Sequence, residues 1–395
     1  MREAWRWFGS NDPVSINDIR QTGATDIVSA LHAIPTGEVW PLADIQAHKA
    51  LVEKDNTENS SLVWSVVESI PVHEDIKLGR DNCQPYIDAW IGSMENLAKC
   101  GIKTICYNFM PVIDWTRTDL KYQLPNGGYA LRFDQDKFAA FDLFILQREH
   151  AEADYSADEL AKAKAVFSTM TEDDKALLTK NIIAGLPGKM TDAYNISDFR
   201  AALSQYQNIS KDILRKNLFN FLSQILPKAE QLGMKLAIHP DDPPRDMFGL
   251  PRIICTAEDL EILFAAQPNP ANGITLCAGT YGSRPDNDLP QMAKDFGARI
   301  HFAHLRGVTR DKDEQRSFYE AEHLESDVDM VGVIAALLKE EKSRKGAGEI
   351  FIRPDHGHQI LDDINKKGNP GYSCIGRLKG LAEIRGVIKA LKAVG

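Results

Sequence analysis

Short apolar runs alternating with helical patterns recur along this chain and restrict what it can fold into. Strand candidates lie at residues 5–8, 26–31, 62–67 and 103–108, then at 235–238, 274–276, 300–303 and 350–354. Brief apolar runs between amphipathic segments read as buried parallel strands. Helix starts between them carry hydroxyl caps ahead of early acidic residues, at Ser15-Ile-Asn-Asp18, Ser210-Lys-Asp-Ile213 and Thr256-Ala-Glu-Asp259. Gly23, Gly101 and Gly233 stand where helices should stop. Eight strand–helix units joined by right-handed crossovers predict an α/β fold, a closed (β/α)₈ TIM barrel.

Such a barrel needs about 250 residues, whereas the chain has 395. The excess falls after the fourth strand. No convincing strand occurs at about 114–208, which holds a polar loop and two helices opening at Ser156-Ala-Asp-Glu159 and Thr171-Glu-Asp-Asp174, the second stopping at Gly185-Leu-Pro-Gly188. The expectation is one domain, 1–395, with a long, mostly helical insertion on the active-site face. It would serve either as decoration or subunit contact, or as a lid. The charge-rich stretch 311–326 reads as a second surface loop on that face.

Each of the last four runs ends in a side chain that can bind a metal: His239, Cys277, His304 and Asp355. Barrel chemistry sits at the C-terminal strand ends, so four such ends in succession suggest one ion. Taken singly, each has a bland reading. His239, before Pro240-Asp241-Asp242, could be a hydrogen-bonded rim histidine; Asp241 and Asp242 could orient it, bind substrate or cap a turn. Buried free cysteine is ordinarily an inert hydrophobe, but Gly279 and Gly282 follow Cys277 where the backbone must bend closely around a site. The period of two places His304 with Ile300 and Phe302 and away from His301. Arg306 beyond it could fork a substrate carboxylate or form a surface salt bridge.

Arg353-Pro-Asp-His-Gly-His358 is the densest ionisable cluster, and three titratable groups in four residues are costly to bury unpaired. Asp355 suits a ligand and His356 an acid or base, with His358 supporting or solvated. The turn Asn369-Pro-Gly-Tyr372-Ser-Cys-Ile-Gly-Arg377 could bring Tyr372 and Arg377 to the site. In the first half, Glu68 and Asn108 at strand ends are expected near the substrate. Trp7 is also a candidate there, although early aromatics more often pack the barrel.

Composition excludes several roles. A net charge of −10 argues against nucleic acid or an anionic membrane as partner. No span approaches the ~20 apolar residues of a membrane helix, and the first residues lack a signal peptide's apolar core. Six cysteines without paired spacing fit a reducing compartment, so the cytoplasm is expected. Nucleotide-loop and serine-hydrolase motifs are missing.

Five strings, Arg6-Trp-Phe-Gly-Ser-Asn-Asp-Pro-Val-Ser15, Tyr107-Asn-Phe-Met-Pro-Val-Ile-Asp-Trp-Thr-Arg117, His239-Pro-Asp-Asp-Pro-Pro244, Arg353-Pro-Asp-His-Gly-His358 and Asn369 to Arg377, resemble bacterial D-mannonate dehydratase nearly end to end. That family consists of metal-dependent barrels related to xylose isomerase. The resemblance implies conversion of D-mannonate into 2-keto-3-deoxy-D-gluconate and water, within hexuronate (glucuronate) breakdown. It implies Mn²⁺ or Fe²⁺, one ion per subunit, on His239, Cys277, His304 and Asp355, with His356 and Tyr372 as the catalytic pair. The expected partners are a small sugar acid and a second copy of the chain, as a dimer. A metal-dependent sugar isomerase or epimerase is the nearest rival, followed by a barrel nuclease and a sugar-acid or metal-binding protein without activity.

Overall fold

Two of the expected runs, Asn272–Cys277 and Ile300–His304, are buried at every position, as strands covered on both faces must be. The computed structural model describes residues 1–183, 195–314, 316–344 and 348–394. In chain order its strands are β1 (Arg2–Arg6), β2 (Asp26–Ser29), β3 (Val63–Glu68), β4 (Thr104–Tyr107), β5 (Asp119–Gln123), β6 (Tyr129–Phe133), β7 (Lys235–Ile238), β8 (Asn272–Cys277), β9 (Ile300–His304), β10 (Gly307–Arg310), β11 (Phe318–Ala321) and β12 (Phe351–Arg353). Eight of them close a parallel barrel in the order β1-β12-β9-β8-β7-β4-β3-β2. These are the eight runs expected, with ends shifted by a few residues; the first begins earlier, at Arg2.

Helices form where their caps predicted. Ser15, Ser156 and Thr256 make complete capping boxes, and Ser210 accepts from the Ile213 amide. Thr171 accepts from the Asp174 amide in the same way. Gly23 and Gly101 adopt φ of 74° and 79° at the chain reversals after their helices, a conformation that favours glycine. The expected stop at Gly185–Gly188 lies outside the described residues.

Inside the barrel, Ala4, Val28, Val66, Cys106 and Ala237 surround Phe302, with Phe351 packed against them. Small side chains on the other strands make room for this one ring. His304 stands two residues further along the same strand face, its ring perpendicular to that of Phe302 at 4.6 Å between centroids. The aromatic plug is therefore the floor of the site.

The segment after β4 is mostly helical, with helices at Gln135–Ala140, Ala157–Thr169, Glu172–Ile183 and Ile196–Ser204. It also contains the hairpin β5–β6, which its polar composition conceals: β5 has no buried residue, so it shows no apolar alternation. The 311–326 stretch is likewise more than a surface loop, because β11 lies within it. Together β10-β11-β6-β5 make a separate antiparallel sheet, with Phe318 opposite Phe133 and Tyr319 opposite Arg132.

Phe302→Ala should lower stability by about 3–5 kcal/mol, the usual cost of emptying a core aromatic site. Denaturant unfolding followed by fluorescence checks this; an unchanged midpoint would mean that the ring is not the plug.

Candidate active site

The ends of β7, β8 and β9 bring His239, Cys277 and His304 together, so that one donor atom from each lies within 4.8 Å of the others. His239 extends the β7 ladder through its amide to the Tyr107 carbonyl, and its Nδ1 lies 2.8 Å from the Pro240 carbonyl. That carbonyl can only accept, so Nδ1 carries the proton and Nε2 is left as a donor atom for a metal. His304 is fully buried, and its Nε2 makes no hydrogen bond within 3.5 Å among the described residues, its nearest acidic neighbour being a Glu68 carboxylate oxygen at 3.6 Å. A buried ring nitrogen left this way is costly unless something binds it. Asp355 follows β12, with one carboxylate oxygen 3.6 Å from Cys277 Sγ and the other 3.6 Å from His304 Nδ1. Imidazole, thiolate and carboxylate donors fit a borderline-soft divalent ion.

A second, overlapping group joins Glu68 and Cys106 to His304. The first half of the barrel thus offers more donors than its sequence suggested. Glu68, however, already accepts from Arg353 at 2.9 Å, and burial drives the Cys106 thiol well up, with Glu68 adding to the effect. Cys106 also packs within the apolar cluster around Phe302, whereas the donors of the first group close the strand ends at the rim.

Around these donors runs a buried lattice of charge. Arg353 reaches Asp355 at 2.7 Å as well as Glu68. Arg306 contacts Asp355 and Asp242, each at 3.2 Å, and also pairs with Glu320. Arg117 pairs with Asp242 at 2.7 Å and with Glu320 at 2.9 Å. Burial acts to raise the Asp355 carboxyl, but Arg353, then His356 and Arg306, outweigh it and hold it well below the usual carboxylate range. For Glu320 burial again pulls upward, and Arg306, His356 and Arg117 bring it down to about 2. These acids therefore stay ionised although they are buried. Gly279 makes part of this possible, since a Cβ there would lie 2.0 Å from Arg306 Nε.

His356 sits beside Tyr372, with ring centroids 4.9 Å apart, and its Nδ1 lies 2.7 Å from Glu320. Burial pushes the Tyr372 phenol up, against Arg353 and with Asp355 reinforcing, so it remains protonated. Gly371 holds the two rings close: its φ is +82°, and a Cβ there would lie 2.9 Å from His356 Cγ. The cleft beside these groups is lined by Glu68, Asn108, His239, Asp242, Asp355, His356 and Tyr372, among others.

Several expected substrate contacts are placed differently. Asp241 turns away and accepts from the Ile253 and Ile254 amides, both at 2.8 Å, fixing the loop while Asp242 lines the cleft. Arg377 stacks over Trp5 and donates to the carbonyls of Arg6, Tyr372 and Ser373, so it braces the Tyr372 turn. Trp7 is buried against His48, outside the cleft lining. Arg306 is buried and committed to protein carboxylates, neither a free fork nor a surface bridge. His358 is also buried, bonded to the Glu320 carbonyl. The roles of Arg117, Arg353 and Glu320 were missed; the first two lie within the motif strings, whereas Glu320 has only its place on the same strand face as Phe318 as a local signal.

A closed parallel barrel with a metal-capable cluster and adjacent proton-transfer groups on its C-terminal rim belongs to the (β/α)₈ enzymes. The model of the D-mannonate dehydratase (UxuA) family matches residues 1–395. A mannonate dehydratase from Marinomonas sp. (strain MWYL1) is 55% identical over 396 residues, covering all of both chains. One from Saccharophagus degradans (strain 2-40) is 54% identical over 399 residues, covering 100% of this chain and 98% of its own. The crystal structure of mannonate dehydratase from Streptococcus suis serotype 2 superposes with a TM-score of 0.77 at 33% identity, over 100% of this chain and 94% of that one. The chain belongs to the D-mannonate dehydratase family, and as a dehydratase it is a carbon–oxygen lyase. No helix among the described residues is long and apolar enough to cross a membrane.

Replacing Arg353 by Met leaves the buried Asp355 and Glu68 without their shared cation. A stability loss of about 3–5 kcal/mol is expected, read as a lowered unfolding midpoint of the metal-free protein; an unaltered midpoint would show that this pairing is not structural.

Proposed function

We propose that this protein dehydrates D-mannonate to 2-keto-3-deoxy-D-gluconate within hexuronate breakdown. His239, Cys277, His304 and Asp355 would hold one divalent ion per subunit, Mn²⁺ or Fe²⁺, and His356 and Tyr372 would divide the proton transfers. The observation that carries this reading is the convergence of the His239–Cys277–His304 group and the His356–Tyr372 pair on one rim, joined by the consecutive residues Asp355 and His356.

The chemistry explains the residue types. The C2 hydrogen of the sugar acid is only weakly acidic, and hydroxide is a poor leaving group from C3. A bound divalent ion supplies Lewis acidity toward the carboxylate and a neighbouring hydroxyl. One member of the pair takes the C2 proton, leaving the C–H electrons delocalised into the substrate carboxylate as an enediolate, from which they close the C2–C3 double bond when the C3 hydroxyl departs. The other gives its proton to the departing C3 hydroxyl, which leaves as water, and the enol left behind ketonises to the 2-keto acid. Tyr372, kept protonated by burial, suits the donor role. Asn108 lines the cleft and would orient substrate hydroxyls.

The same reading has the enzyme in the cytoplasm, where six free cysteines stay reduced, and as a homodimer, checked by light scattering on the eluting peak. Chelation should abolish formation of 2-keto acid from D-mannonate, and adding back Mn²⁺ or Fe²⁺ should restore it. Inactivity with every divalent ion tried would defeat the proposal. Cys277→Ala should lower bound metal and cut kcat by about 10–100-fold or more, measured by metal analysis and steady-state assay. Substrate deuterated at C2 then separates the pair: Tyr372→Phe should still exchange that deuterium while losing water release, whereas His356→Asn should lose both.

A further inference from the structure

Glu320 lies on β11, in a stretch whose sequence suggested only a charged surface loop, yet its carboxylate is buried among site residues. One oxygen is 2.7 Å from His356 Nδ1. The other accepts from Arg117 at 2.9 Å and from Arg306. We infer that Glu320 is a positioning residue that fixes the His356 imidazole with its proton on Nδ1 and its lone pair on Nε2, making His356 the base. This rests on the assignment of His356 to proton transfer proposed above.

The tautomer follows from the contacts. Arg306 Nη1 also lies 3.0 Å from His356 Nδ1, so for the neutral ring two tautomers compete. If Nδ1 carried the lone pair it would accept from Arg306, but the same lone pair would then face a carboxylate oxygen at 2.7 Å, which is repulsive. With the proton on Nδ1, the short contact becomes a charge-assisted hydrogen bond, and Arg306 keeps acidic acceptors in Glu320, Asp242 and Asp355. A ring protonated at Nδ1 presents a basic Nε2, the arrangement in which a carboxylate orients a catalytic histidine.

The carboxylate itself cannot drift. β11 is paired on both sides, by β10 and by β6 of the insertion. His358 Nε2 bonds the Glu320 carbonyl at 2.8 Å. Arg117, which anchors the side chain, comes from the segment leading into β5. The hairpin also reaches the histidine loop directly, through paired backbone bonds between Tyr129 and Gln359. The insertion thereby supports the ring through both its backbone and Arg117.

The test uses the metal-loaded enzyme and the variants Glu320→Gln and Glu320→Asp. Asp keeps the charge that Arg117 and Arg306 require but withdraws the carboxylate from Nδ1, so it guards against failure of the Gln variant to fold. Both should lose kcat, Gln by about 10²-fold or more, and deuterium exchange at C2 should fall in proportion. KM for D-mannonate should stay within about twofold, because the lost interaction acts in the transition state, and metal content should be unchanged. In the His356→Asn background, Glu320→Gln should cost little further. Full kcat in both Glu320 variants, or a loss of kcat accompanied by equal losses of metal and substrate affinity, overturns the inference. If His356→Asn itself retains activity, the assignment of His356 fails first, and that result is separate from the behaviour of Glu320.

Discussion

Three guanidiniums, those of Arg117, Arg306 and Arg353, hold the carboxylates of Asp242, Glu320, Asp355 and Glu68 inside the barrel mouth, and the rest of the site depends on them. Buried carboxylates normally take up protons or disrupt their surroundings. Arginine does not give up its charge, and its planar fork satisfies two acids at once. The acids therefore remain ionised where water is scarce, Asp355 stays beside Cys277 and His304, and Glu320 stays against His356. A well-packed apolar cluster could stabilise the barrel as well as such a lattice does. What an apolar cluster could not do is place negative charge at fixed points around a metal-capable group and an imidazole.

The insertion takes part in this arrangement. Its hairpin continues into a sheet with β10 and β11, and Arg117 at the base of that hairpin links Asp242 to Glu320. A segment that looks dispensable by composition therefore forms part of the site wall. Two glycines complete the packing by what they lack: Gly279 leaves space for Arg306, and Gly371 for His356.

The legible parts of the molecule are those whose causes are local. The eight barrel strands show because each is covered on both faces and so reads as an apolar run. His239, Cys277, His304 and Asp355 show because a polar residue closing such a run has to face the rim. The hairpin stayed hidden because β5 buries no residue fully and so lacks an apolar face, and Glu320 because its partner Arg117 is 203 residues away in the chain. Arg377 and Asp241 show the opposite error. Their neighbours suggested substrate contact, but backbone carbonyls and amides claim them. Residue type at a strand end indicates that a side chain faces the site, whereas tertiary partners decide whether it is free to act there.

The closure of the barrel has a consequence for how the molecule comes into being. β1 pairs with β12, Arg2 opposite Phe351, so the first strand waits for one of the last before the ring is complete. Contacts that join distant parts of a chain form slowly, because loop-closure entropy is lost before they contribute any stability. Asp355 and His356, which line the candidate site, follow directly on that final strand. A growing chain thus has most of its helices and strands before the rim of the barrel is complete. Competence for chemistry arrives late in synthesis, almost together with the completed fold, and a truncated chain would lack both.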